Sequence, residues 1–117
     1  MRGTRRRLVR QADELAESAE QLRRLLQQYA RVARRVARRV EGGSRVVDAV
    51  EATDAATMRP DVTEALDAFE AARHRTRLAM LDLALEEGSS ISDVSRALRI
   101  SRQLGSRLAK ELGPPKG

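Results

Sequence analysis

The stretch Ser89-Ser90-Ile91-Ser92-Asp93-Val94-Ser95-Arg96-Ala97-Leu98-Arg99-Ile100-Ser101-Arg102-Gln103-Leu104-Gly105-Ser106-Arg107-Leu108 decides how this chain is read. It predicts two brief helices joined by a tight turn. Ser92 can cap the first, with Ser90 and Asp93, three residues on, as a competing start. Val94, Ala97 and Leu98 form its buried side, Ile91 packs at its beginning, and Ile100 sits in the turn to plug the angle between the helices. Ser101 caps the second helix, Arg102 to Leu112, in which Leu104, Leu108 and Leu112 recur every four residues on the inner side. At about 100° per residue, Arg102, Gln103, Ser106, Arg107 and Lys110 fall on the opposite face. No acidic residue is among them.

An apolar inner face opposite a basic outer one is the pattern of a helix-turn-helix, whose second helix is offered to the DNA major groove. Through Ile91-Ser92-x-Val94, Leu98-x-Ile100-Ser101-Arg102-Gln103 and Ser106-Arg107-Leu108, the stretch resembles the helix-turn-helix of small bacterial regulators and of resolvase/invertase recombinases. The resemblance covers about 25 residues plus the preceding helix. It implies a homeodomain-like three-helix unit in which Ser101 to Arg107 read DNA, Arg suiting guanine and Gln suiting adenine. Three positions depart from that pattern: Arg99 stands where such turns carry Gly, Ser95 replaces Ala, and Gly105 replaces a branched apolar residue.

Upstream, Asp61 and Glu64 form a D-x-x-E capping box that predicts a helix from Val62 to about Glu87, closed by Gly88. Val62, Leu66, Phe69, Thr76, Met80 and Leu83 make one stripe; Leu78, Leu81 and Leu85 widen it towards the end, where the helix-turn-helix must pack. Ser44 caps a shorter predicted helix to about Thr57, broken at Met58-Arg59-Pro60. His74 stands among Arg73, Arg75 and Arg77 and is expected at the surface or on a phosphate.

The first forty residues carry the sharpest periodicity. Leu8, Ala12, Leu15, Ala19, Leu22, Leu26, Tyr29, Ala33, Val36 and Val40 alternate by four and three, a heptad repeat that Gly42-Gly43 ends. A helix from Thr4 to Glu41 would be on the order of 55 Å long. Asp13, Glu14, Glu17 and Glu20 occupy its first half; Arg23, Arg24, Arg31, Arg34, Arg35, Arg38 and Arg39 occupy its second. That order favours an antiparallel homodimer through Leu8, Leu15, Leu22, Leu26, Tyr29, Val36 and Val40; the alternative is an intrachain bundle with later helices folded back along the seam. Arg31 to Arg39 form a basic stripe that either tracks phosphates or is simply solvated. Residues 1–7, with Arg5, Arg6 and Arg7, read as a frayed basic arm that either contacts DNA or is a solvated terminus.

Composition narrows the function class. The 117 residues carry a formal charge of +6 with a pI near 11.1, 34% charged side chains, and Tyr29 and Phe69 as the only aromatics. Such a balance favours an acidic partner. Without cysteine there is no disulfide or thiolate metal site. No nucleophile–base pair, metal cluster or phosphate-binding glycine loop is apparent, so no enzyme, cofactor, metal or small-molecule ligand is expected. The absence of a signal or membrane-spanning run points to a cytoplasmic protein at the nucleoid, off the membrane.

The expectation is therefore an all-α chain: a basic arm and long coiled-coil helix (1–43), a short helix and linker (44–61), a helix plus helix-turn-helix (62–112) and a disordered tail (113–117). Double-stranded DNA is the expected partner, with Ser101, Arg102, Gln103, Ser106, Arg107, Lys110, Arg5, Arg6 and Arg7 as contacts. The expected role is that of a transcriptional regulator or nucleoid-associated protein. The alternative is a protein–protein adaptor whose long helix binds another coiled coil or a transcription component.

Overall fold

A computed structural model describes residues 2–113, with the side chain of Arg2 excepted. Among them there are five helices and no strand: α1 (Arg2–Glu41), α2 (Val46–Glu51), α3 (Ala55–Glu86), α4 (Ile91–Leu98) and α5 (Arg102–Leu112). The fold is all-α with a long N-terminal helix, as the sequence implies. Of the tail expected to be disordered, only Gly113 lies within the described residues; Met1 and residues 114–117 lie outside them.

The chain divides into two compact units, and both α1 and α3 pass through each. One holds α1 up to Leu15 with residues 72–113; the other holds residues 16–71. In each, α1 and α3 pack antiparallel. Thr4 pairs with Glu86, Arg7 with Asp82 and Gln11 with Arg75 in the first, while Ser18, Gln21 and Leu25 share a hollow with Asp61, Glu64, Ala65 and Ala68 in the second. The chain itself thus covers much of the seam expected for a second copy. Leu22 is buried and Leu8, Leu15 and Val36 are half-buried, whereas Leu26, Tyr29 and Val40 are exposed.

The covered stripe differs from the sequence pattern by one row. Besides Leu8, Leu15, Leu22 and Val36, α1 turns inward Thr4, Gln11, Ser18, Leu25 and Val32; the expected Ala12, Ala19, Leu26, Ala33 and Val40 face outward. On α3, Ala65, Ala72 and Ala79 are buried while Leu66 and Met80 are 43% and 36% exposed. An alanine row lets two helices approach closely, and of the polar inward positions of α1, Thr4 and Gln11 find partners on α3. The buried Thr76 hydroxyl, for example, lies 2.8 Å from the Ala72 carbonyl and 3.1 Å from that of Gln11.

Two helix boundaries also differ. α2 ends at Glu51 with Arg45, not Ser44, at its N-cap position. α3 begins seven residues before Val62 and runs through Pro60. The Thr53 hydroxyl accepts from Ala55 N–H and donates to the Val50 carbonyl, and Met58 N–H bonds Asp54 O, so a start already exists upstream of Asp61. Pro60 sits near that start, where Ala56 is exposed and its carbonyl can be hydrated. The frayed arm is likewise corrected: α1 is helical from Arg2.

Three helix ends close by the same pair of backbone bonds. Ser44 N–H reaches Arg39 O, Ser89 N–H reaches Ala84 O, and Ile100 N–H reaches Ser95 O, and in each case the preceding residue's N–H bonds the carbonyl three residues back. Gly43 and Gly88 supply the required left-handed residue at the first two ends. At the third it is Arg99, at φ 55° and ψ 43°.

α4 starts at Ser90, whose hydroxyl accepts Asp93 N–H while the Asp93 carboxylate accepts Ser90 N–H. Ser90, first through that backbone N–H and then through its side chain, holds the Asp93 carboxyl below its ordinary range. A depressed carboxylate stabilises the fold above its unfolded pKa, and that contribution is lost as pH falls through the folded value. Between about pH 6 and pH 3 the protein should therefore lose more melting temperature than Asp93→Asn does. Equal losses in calorimetry would remove the cap carboxylate from the account. Arg99→Gly should raise stability by about 1 kcal/mol, read from the urea midpoint, by relieving the left-handed arginine.

Candidate nucleic-acid interface

The last turns of α3 face two helices at once. Leu81, 1% exposed, meets Val94 of α4 and Leu108 of α5, and Leu78, Leu98, Ile100, Leu104 and Leu112 pack around them. Ile100 plugs the turn as expected, whereas Ala97 is exposed and Ser95 takes the inner position. The reason is spacing: with Ile91 and Val94 turned inward, positions four and seven on, Ser95 and Leu98, complete the same face.

Ser95 and Gly105, two of the three departures, belong together. A Cβ on Gly105 would stand 2.1 Å from Ser95 Oγ but 3.4 Å from Ser95 Cβ and 3.3 Å from Ile91 Cγ2. The serine hydroxyl thus fills the space a side chain at 105 would take. It is buried and makes no hydrogen bond. α5 is pressed against α4 at Gly105, and its far side is turned outward.

On that outer side Arg102, Gln103, Ser106, Arg107 and Lys110 line one shallow concavity. All are exposed except the half-buried Ser106, and none of the three cations has an ion pair among the described residues. The nearest acid in sequence, Glu111, turns to His74, with Oε2 2.6 Å from Nε2. His74 is therefore exposed but engaged by a carboxylate, a partner the surrounding arginines concealed in the sequence. Ser101 is spent on the cap: its hydroxyl accepts Leu104 N–H at 3.0 Å and fixes where α5 begins.

The N-terminal arginines do not join this surface as a free arm. Arg5 bonds Glu87 at 3.0 Å and Arg7 bonds Asp82 at 2.9 Å; Arg6 is exposed and has no ion pair among the described residues. Acidic side chains at the end of α3 hold the start of α1, and only their position along a folded helix reveals it. Arg75 adds a hydrogen bond to Gln11 at 3.1 Å and a contact with Glu14 at 3.9 Å.

Among the described residues no group of three or more His, Cys, Asp or Glu side chains could hold a metal, and no helix is long and apolar enough to cross a membrane. Comparison with family models, curated proteins and solved structures finds no match.

The Ser95–Gly105 contact can be tested by stability. Gly105→Ala alone forces the Ser95 hydroxyl to rotate, whereas in a Ser95→Ala background the new methyl meets the Cβ of residue 95 at 3.4 Å and asks only Ile91 Cγ2, at 3.3 Å, to give slightly. The pair should show favourable coupling of about 1 kcal/mol in a double-mutant cycle. Simple additivity would show that the two positions do not compete for the same space.

Proposed function

We propose that this is a non-enzymatic DNA-binding protein, a transcriptional regulator or nucleoid-associated protein, that acts as a homodimer and places α5 in the major groove. The observation that supports the reading is the outer face of α5: Arg102, Gln103, Ser106, Arg107 and Lys110 gathered on one surface, with the cations free of ion pairs among the described residues. Base edges in the major groove offer bidentate acceptors to arginine and a donor–acceptor pair to an amide. Arg102 and Gln103, in the first turn of α5, are in the position from which such helices read bases. Arg107 and Lys110, further along, supply phosphate contacts. Arg6 adds to the positive field; Arg5 and Arg7 keep their guanidinium groups on Glu87 and Asp82. Single helix-turn-helix units bind weakly, so two linked copies raise the effective concentration of the second contact. The resulting DNA-bound state belongs at the nucleoid.

Selection of bound sequences from a random duplex pool, followed by fluorescence anisotropy over a range of salt, tests the reading. Arg102→Ala and Gln103→Ala should each flatten preference at particular base pairs, by about 1–3 kcal/mol. Arg107→Ala and Lys110→Ala should weaken all sequences alike and lower the salt slope by about one each. A protein that enriches no sequence and binds duplex equally well with all four residues changed would instead favour the adaptor reading.

A further inference from the structure

The unit formed by residues 16–71 contains two long helical segments and one short helix, and one side of it is left open. The hollow lined by Ser18, Gln21 and Leu25 of α1 and by Asp61, Glu64 and Ala65 of α3 marks one side of the seam. One residue further along each helix turns the chain by about 100° to the other side. There stand Leu26 and Leu66, each 43% exposed, with Tyr29, 40% exposed, at the edge of the seam. Ala19 and Ala33 continue the row above and below Leu26 and are exposed as well.

We infer that this open side is the docking surface for a second copy of the chain, with the two α1 helices antiparallel and a two-fold axis near Leu26 and Gln27. Reversal about that point superposes like on like: Ala19 comes opposite Ala33, and Leu26 meets its own copy. Small residues on both sides of the axis let the helices approach closely. Charge selects the orientation. Beside the apolar row Glu20 comes level, to within two residues, with Arg34 of the other copy, and reversal sets the turns that carry Glu17 and Glu20 against those that carry Arg31, Arg34, Arg35, Arg38 and Arg39. A parallel mate would set five arginines against five. Those five are exposed and have no ion pair among the described residues, so they are free to meet a partner. Glu20 is kept ionised by its hydrogen bond from Arg23.

This surface differs from the one the heptad pattern suggests. Leu8, Leu15 and Leu22 are engaged within the chain; Leu26 and its neighbours remain for the partner. This dimer surface is the one on which the proposed DNA-binding mode rests, and the measurements of dimerisation itself use no DNA.

Sedimentation equilibrium of the full chain should give the mass of two chains. Leu26→Glu should raise the dimer dissociation constant at least tenfold while far-ultraviolet circular dichroism stays helical. Glu20→Arg and Arg34→Glu should each weaken the dimer, and the two together should restore it. Since the chain has no cysteine of its own, mixed Ala19→Cys and Ala33→Cys chains should form the crossed disulfide in preference to either self-pair. A monomer at high micromolar concentration, a dimer indifferent to Leu26→Glu, or preferential Ala19→Cys self-pairing would each overturn the inference. Anisotropy of the Leu26→Glu chain on duplex separates the two readings: retained weak binding leaves the α5 interface standing whatever the dimer does.

Discussion

The close approach of α4 to α5 at Gly105 is the constraint on which the candidate interface depends. With hydrogen at position 105, α5 lies against Ser95 and Ile91, and its remaining circumference is committed to leucines inside or polar side chains outside. Arg102, Gln103, Ser106, Arg107 and Lys110 share one surface because the opposite side of the helix has no freedom to turn. The left-handed Arg99 makes the same point from the backbone. The turn geometry is kept even where the residue is not the one that adopts it most readily, because the Leu81–Val94–Leu108 contact on either side of it fixes the angle.

That contact is placed in turn by the seam between α1 and α3. The end of α3 and the residue after it carry acidic side chains on one side, with leucines on the other, so this segment binds the start of α1 through Asp82, Glu86 and Glu87 and packs on α4 and α5 through Leu78 and Leu81. The N-terminal arginines are consequently structural before they are electrostatic. Exposed ion pairs of this kind contribute little stability individually. What they settle is where the guanidinium groups point.

The same seam explains why the inward row of α1 was hidden in the sequence. A heptad pattern shows that a helix has an apolar side, but two apolar rows adjoin in α1, and either can be inward. Gln11 and Ser18 interrupt the row that is actually covered, so periodicity favours its neighbour. Only the helix folded against α1, with its alanines at 65, 72 and 79 and its Thr76 and Arg75 available to Gln11, makes the polar row the better inner one. The neighbouring row, with Leu26, is then left outside.

By itself the sequence determined the all-α class, the long first helix and its glycine stop, the two short helices with their turn, and the five residues of the α5 outer face. Each follows from local rules of periodicity, capping and left-handed residues that need no knowledge of distant contacts. It also marked Arg99, Ser95 and Gly105 as departures, without showing that the last two fill the same space. The tertiary structure alone decided which row of α1 is buried, that α3 starts before Pro60, that Arg5 and Arg7 are held by acids some eighty residues away, and that Glu111 is drawn to His74. These outcomes rest on pairing between residues far apart in the chain, where several locally acceptable choices compete and packing selects among them.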